Sequence, residues 1–137
     1  MDSSTLRSPL EVLNPHKPVC VKSSAPVHEA IQKMKNEHIG CVCVVEDQSL
    51  VGIFTERDVL TKVVGSGVDL SKTIVADVMT PDPEYLFEDD EIAFALNRMQ
   101  VGGFRHVPLV DLKGKPQGVV SVRDILRYLL KNIGATS

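Results

Sequence analysis

Gly52-Ile53-Phe54-Thr55-Glu56-Arg57-Asp58 and Gly118-Val119-Val120-Ser121-Val122-Arg123-Asp124 follow one order of residue types: glycine, two apolar residues, a hydroxyl, any residue, arginine, aspartate. The two strings lie 66 residues apart (118 − 52). Upstream, Ala30-Ile31-Gln32-Lys33-Met34 lies over Ala95-Leu96-Asn97-Arg98-Met99 at an offset of 65 (95 − 30). The extra residue falls where Asp111-Leu112-Lys113-Gly114-Lys115-Pro116 replaces Glu46-Asp47-Gln48-Ser49-Leu50. That is a polar turn, and turns tolerate insertion. The chain is a duplication, a feature that constrains architecture before any local signal does.

Each copy reads as β-α-β-β-α. An extended lead-in (Pro18 to Val21; Glu84 to Phe87) precedes an amphipathic helix, in which Val27, Ala30, Ile31 and Met34 recur at helical spacing. Ser24 and Asp89 stand where N-caps are expected. A strand follows (Cys41 to Val45; Val107 to Val110), then a turn and a second strand (Val51 to Phe54; Val119 to Val120). A closing helix runs from about Glu56 to Val64 in one copy and about Val122 to Ile133 in the other. Strands apolar on both faces need cover on both sides. The pattern therefore predicts an α/β (α+β) fold, with two repeats packed about a pseudo-two-fold axis in a single domain over 8–137. Within it, repeat one spans about 12–65, a linker about 66–77 and repeat two about 78–133. Residues 1–7 read as a flexible tail, and Ser8-Pro9-Leu10-Glu11 as a helix start with Ser8 at the cap.

The 137 residues are 43% hydrophobic and 24% charged, ordinary values for a soluble domain with its own core. No apolar run reaches the roughly 20 residues of a membrane span. The start, Met1-Asp2-Ser3-Ser4-Thr5, lacks the basic and apolar regions of a secretory signal, so a cytoplasmic protein is expected. A net charge of −3 and the absence of Trp weigh against nucleic-acid binding. Three cysteines, with no C-x-x-C, suit a reducing compartment. Cys41 and Cys43 alternate on one face of a strand and read as small buried residues. His16, His28 and His38 lack metal-ligand spacing, so surface or capping roles are expected and no metal site. Neither a phosphate-binding P-loop nor a dinucleotide fingerprint occurs, and no catalytic constellation can be assembled. The expectation is a protein that is not an enzyme.

Both seven-residue strings run from a strand into a helix, whose N-terminal amides and dipole favour an anion. The hydroxyl of Thr55 or Ser121 can donate to phosphate, and Asp58 or Asp124 can accept from ribose hydroxyls. Arg57 and Arg123 can neutralise a polyphosphate. Gly52 and Gly118 admit a ligand or another strand at close range. The same spacing, Thr55-x-x-Asp58 and Ser121-x-x-Asp124, also satisfies a capping box, which needs no ligand.

The paired strings resemble the G-h-h-[ST]-x-x-[DN] signature of cystathionine-β-synthase (CBS) repeats, and the resemblance covers about Val12 to Ile133. It implies a Bateman module, a regulatory pair of repeats. Such a module binds adenosine-containing ligands (AMP, ADP, ATP, S-adenosylmethionine or NAD) in clefts between repeats, requires no other cofactor, and signals occupancy to a regulated protein. On that resemblance Thr55 and Ser121 would contact phosphate, and Asp58 and Asp124 ribose. Phe104-Arg105-His106-Val107-Pro108 resembles the family's adenine-facing strand, with Arg105 and His106 toward the phosphates; Thr80-Pro81-Asp82-Pro83 resembles a pocket-lining segment. The first copy has Gly40, Cys41 and Cys43 where the second has Arg105, His106 and Pro108. Two unequal sites follow, the one using Arg105 and His106 being the more anion-friendly. The last helix, with Val122, Ile125, Leu126, Tyr128, Leu129, Leu130 and Ile133, is apolar on more than one face, and Phe94 lies off its own helix's stripe. Such surplus apolar surface predicts a homodimer. Two alternatives remain at this point: a ligand-free interaction module, and a thiol-dependent regulator using Cys20, Cys41 or Cys43.

Overall fold

A computed structural model describes residues 3–136. In chain order the elements are α1 (Ser3–Leu6), a 3-10 turn (Leu10–Leu13), β1 (Cys20–Lys22), α2 (Val27–Glu37), β2 (Cys41–Glu46) and β3 (Ser49–Thr55). Then come α3 (Glu56–Asp58), a π-helical stretch (Val59–Val64), α4 (Val75–Val78), β4 (Thr80–Pro81), α5 (Ile92–Gly102), β5 (His106–Val110), β6 (Pro116–Ser121) and α6 (Val122–Thr136). This is the duplicated β-α-β-β-α order in a mixed α/β fold. The sequence reading placed 8–137 in one domain; the chain divides into two compact units. The first-repeat unit comprises Pro18–Pro83 with Leu112–Pro116, and the second-repeat unit comprises Met1–Lys17, Glu84–Asp111 and Gln117–Ser137.

In the first-repeat unit the sheet order is β1-β2-β3-β4, with β1 parallel to β2 and the other pairs antiparallel. Helix α2 buries Val27, Ala30 and Met34 in a core with Val42, Val44 and Phe54. Full burial of each large apolar side chain contributes about 1.5–3 kcal/mol, which is what holds helix to sheet. Asp47 and Gln48, between β2 and β3, both have positive φ (49° and 68°). A two-residue turn of that kind matches the strand twist and fixes the hairpin register. Cys41 and Cys43 are 5% and 0% exposed, and Val42 and Val44 on the opposite face are also buried, so β2 is covered on both sides.

The second-repeat unit repeats the scheme with shorter edges. Strands β5 and β6 pair, while the positions of β1 and β4 shrink to single bridges, Leu86↔Leu109 (parallel) and His16↔Val119 (antiparallel). Its core gathers Leu10, Leu86, Ile92, Ala95, Met99, Val107, Leu109, Val120 and Ile125.

The segment leading into each copy belongs to the other copy's unit. In the second-repeat unit Ile92 N donates to Ser8 O, Leu10 N to Asp90 O and Glu11 N to Glu88 O (3.0, 2.9 and 3.0 Å). In the first-repeat unit Val27 N donates to Thr73 O, Val75 N to Ala25 O and Ala76 N to Ser23 O (2.9, 2.8 and 2.9 Å). Every residue in the first set maps onto its counterpart in the second at the same offset of 65 (92 − 27, 73 − 8). The duplication thus reaches back to Ser8, and each lead-in is used reciprocally.

These bonds explain where local reading of the sequence missed. Neither Ser24 nor Asp89 caps a helix. The N-cap positions are Pro26 and Glu91, without side-chain caps. The first helical amides go instead to Thr73 O and Ser8 O, carbonyls far away in sequence. Ser8 does not cap the turn at Leu10–Leu13 either: Pro9 holds that position, and the Ser8 hydroxyl donates to Ser4 O at 3.4 Å. Within the segment 1–7 read as a tail, Ser3–Leu6 is helical and Leu6 packs against the second core. The closing helix of repeat one is α-helical only over Glu56–Asp58 and then widens, with Gly65 N bonding back to Leu60 O at 2.9 Å.

Candidate functional site

The two strand-to-helix junctions are built alike. At the first, Thr55 is the N-cap, in extended conformation at the end of β3. Its Oγ1 accepts from Asp58 N (3.3 Å), and Asp58 Oδ2 accepts from Thr55 N (3.0 Å) and from the Thr55 hydroxyl (3.2 Å). At the second, Ser121 Oγ accepts from Asp124 N (3.2 Å), and Asp124 Oδ2 accepts from Ser121 N (2.8 Å). The first helical amides are also matched: Glu56 N donates to Gly40 O (3.1 Å) and Val122 N to Arg105 O (3.0 Å). Both strings therefore realise the capping box, and three amides at each junction are engaged internally.

The junctions differ in what surrounds the carboxylate. Asp58 is 4% exposed and enclosed. Thr80 Oγ1 lies 3.0 Å from Oδ1 and 3.2 Å from Oδ2, and Lys62 Nζ lies 3.1 Å from Oδ1. Lys62 also donates to Met79 O at 3.1 Å, tying β4 to the junction. Asp124 instead turns Oδ1 toward two solvent-rich groups. His16 Nε2 is 3.1 Å away with a side chain 65% exposed, and Arg127 Nη1 is 3.8 Å away with a side chain 71% exposed. Among the described residues Ser121 Oγ donates to no group, whereas Thr55 gives its proton to Asp58. A cavity of about 170 Å³ opens beside Asp124, lined by Arg127, Tyr128, Lys131, Val12, Leu13 and Asn14.

Of the residues predicted from sequence, Thr55, Asp58 and Thr80 come together at one junction, and Ser121 and Asp124 at the other. Arg57, Arg105 and Arg123 are exposed; Arg105 reaches the second junction through its carbonyl. His106, half-buried, opens β5. Val107 and Pro108 are fully buried, and Pro108 O accepts from Leu86 N at 3.0 Å. Sequence reasoning passed over Lys62 and Arg127, and gave His16 only a surface or capping role. The first two were legible as cations one turn beyond each aspartate. His16 was not, because 108 residues separate it from Asp124.

Gly52 and Gly118 serve close approach by another strand. A Cβ on Gly52 would lie 2.5 Å from Met79 Sδ and 3.0 Å from Thr80 O; one on Gly118 would lie 2.9 Å from Pro15 Cβ. Among the described residues no cluster of three or more His, Cys, Asp or Glu is placed to hold a metal ion. No described helix is long and apolar enough to cross a membrane.

Comparison with known proteins agrees with this architecture. An uncharacterized 17.7 kDa protein of Acidianus ambivalens is 38% identical over 111 residues, 80% of this chain and 66% of that protein. The chain spans less than two thirds of that relative, and 61% of one from Methanopyrus kandleri that is 36% identical and matched over 82% of this chain. A solved CBS domain structure superposes with a TM-score of 0.82 at 28% identity, covering 90% of this chain and 98% of that one. The CBS domain pair of protein MJ0100, crystallised with 5′-methylthioadenosine and S-adenosylmethionine, shares the fold at a TM-score of 0.80 and 23% identity, over 89% of this chain and 99% of that one. The CBS-domain family model matches twice, over 11–65 and 75–131, and the chain belongs to that family.

Proposed function

We propose that the chain is a non-catalytic regulatory module that binds an adenosine-containing ligand at the Ser121–Asp124 junction and signals its occupancy to a partner. The observation that carries this reading is the unequal surroundings of two matched carboxylates, whose own side chains are 5% and 9% exposed. Asp58 has its oxygens taken by Thr55, Thr80 and Lys62. Asp124 keeps one oxygen against exposed His16 and Arg127, which release it at little cost when a sugar hydroxyl replaces them. Arg127 and Lys131, lining the adjoining cavity, supply charge for phosphate. At about 170 Å³ that cavity is smaller than the ~300–1,000 Å³ of whole-ligand pockets, so it holds a phosphate or a ribose, not a complete nucleotide. Ligand-bound MJ0100 supports the class of ligand by likeness of fold.

Association into a homodimer is part of the same reading. On α6, Ile125 is buried while Leu126, Leu130 and Ile133 are 53%, 59% and 45% exposed. Leu60 and Val64, the counterparts of Leu126 and Leu130 in the first copy, are 67% and 68% exposed. Apolar surface left bare at matching positions of both copies favours a protein contact.

Calorimetric titration with AMP, ADP, ATP, S-adenosylmethionine and NAD tests the ligand, using protein stripped of copurified small molecules. Asp124→Ala is expected to weaken binding by about 1–3 kcal/mol, and Asp58→Asn to change it less. Silence from all five ligands, or unchanged affinity in folded Asp124→Ala, sinks the reading. It would leave the satisfied capping boxes as those of a ligand-free interaction module.

A further inference from the structure

We infer that Cys20 and Cys43 form a peroxide-oxidisable dithiol, in which Cys20 meets the oxidant and Cys43 closes the disulfide. Cys20 on β1 is the register partner of Cys43 on β2 in a parallel pair, and Cys43 N donates to Val19 O at 2.9 Å, fixing that register. Register partners point to the same face of a sheet. Neighbouring strands lie about 4.8 Å apart, inside the roughly 4.4–6.8 Å Cα separation that a disulfide spans. The two thiols lie near enough across that pair for each to shift the other's titration. Cys41 lies opposite Thr55 instead, out of line with Cys20.

The two sulfurs differ in access. Cys43 is 0% exposed. Cys20 is partly exposed and lines a cavity of about 510 Å³ with Lys22, Ser24, Glu29 and Lys33. Lys33 Nζ donates to Cys20 O at 3.0 Å, which holds a cation at the thiol's own residue. The hydrogen bond from Cys43, with Lys33 and Lys115 nearby, lowers the Cys20 thiol, whereas its bond to Cys20 and its burial raise Cys43. The accessible sulfur is thus the nucleophile and the buried one keeps its proton.

The chemistry balances with hydrogen peroxide as the oxidant. The Cys20 thiolate attacks one peroxide oxygen; an S–O bond forms, the O–O bond breaks and hydroxide leaves. That hydroxide takes the Cys43 proton, giving water. The Cys43 thiolate then attacks the Cys20 sulfur; the S–S bond forms, the S–O bond breaks and a second hydroxide departs. Two electrons pass from the sulfurs to the peroxide. The product ties the leading strand β1 covalently to the centre of its sheet.

The test treats the reduced full chain with hydrogen peroxide and follows intact mass and peptide maps. Loss of two hydrogen atoms, mapped to a Cys20–Cys43 link within one chain, is expected. Iodoacetamide should label Cys20 of the reduced protein at least about tenfold faster than Cys43. Cys43→Ser should accumulate a sulfenic acid at Cys20 that a dione reagent captures. A link to Cys41, links only between chains, no mass loss, or equal labelling of Cys20 and Cys43 overturns the inference. Mapping on the unaltered chain decides the matter even if a variant fails to fold, and no outcome depends on nucleotide binding.

Discussion

Thr80 Oγ1 sits within 3.0 and 3.2 Å of the two carboxylate oxygens of Asp58, bridging 22 residues of chain. The bond fastens β4 to the helix start, and Lys62 reinforces it from the next turn. Asp58→Ala removes the acceptor for Thr55 N and strands both Thr80 and Lys62, so about 2–4 kcal/mol of stability should be lost. Asp124→Ala should cost about 1 kcal/mol, the worth of a cap, because His16 and Arg127 already face water. Urea unfolding of the two variants side by side checks the difference; equal losses would contradict it.

Gly118→Ala should loosen the lead-in that crosses β6. The new methyl group would press on Pro15, whose ring cannot swing aside, so about 1–3 kcal/mol is expected. The local readout is hydrogen exchange at His16 N and Val119 N, which bond across that bridge at 3.2 and 3.0 Å. Both amides should exchange faster. Unchanged protection would mean that the crossing does not depend on the missing side chain.

His38 ends α2 in left-handed conformation (φ 55°, ψ 47°), where α5 ends on Gly103 (φ 70°, ψ 24°). A side chain is strained there by about 1 kcal/mol. His38→Gly is therefore expected to stabilise the protein by up to about 1 kcal/mol, visible as a higher urea midpoint with an unchanged slope. A lower midpoint would show that His38 contributes contacts worth more than its strain.

The Cys20 thiol is lowered to about 7, chiefly by the hydrogen bond from Cys43, while burial raises Cys41 to about 12. Only the thiolate alkylates, so the rate at Cys20 should rise with pH and reach half its plateau near 7. Cys41 should stay unreactive across neutral pH. Lys33→Met removes one of the cations that favour the thiolate, and should move the Cys20 midpoint upward. A profile unaffected by that change would remove Lys33 from the account.

Leu126→Glu combined with Leu130→Glu should convert a homodimer to a monomer in equilibrium sedimentation without lowering the melting temperature, since both side chains are more than half exposed. A monomeric parent protein would end the dimer proposal outright.

The repeat was legible because its signal is periodic: apolar positions on α2 and α5, and hydroxyl–aspartate pairs at both junctions, recur at a nearly constant offset. The starts of α2 and α5 were not. Local propensity nominates Ser24 and Asp89, but the backbone carbonyls of Thr73 and Ser8 take those amides, and no window of sequence around Val27 or Ile92 contains them. At the candidate site, Thr55-x-x-Asp58 and Ser121-x-x-Asp124 announced their mutual bonds. What distinguishes the two junctions, Thr80 on one and His16 on the other, comes from strands that arrive from elsewhere in the chain.

The exchanged lead-ins carry a consequence for ancestry. Ser8–Glu11 completes the helix start of the second copy, and Thr73–Ala76 that of the first. A lone ancestral copy, before the gene was doubled, would have had no recipient for its own leading segment and no donor for its helix. Such a copy would lack the segment that takes its first helical amide in this chain.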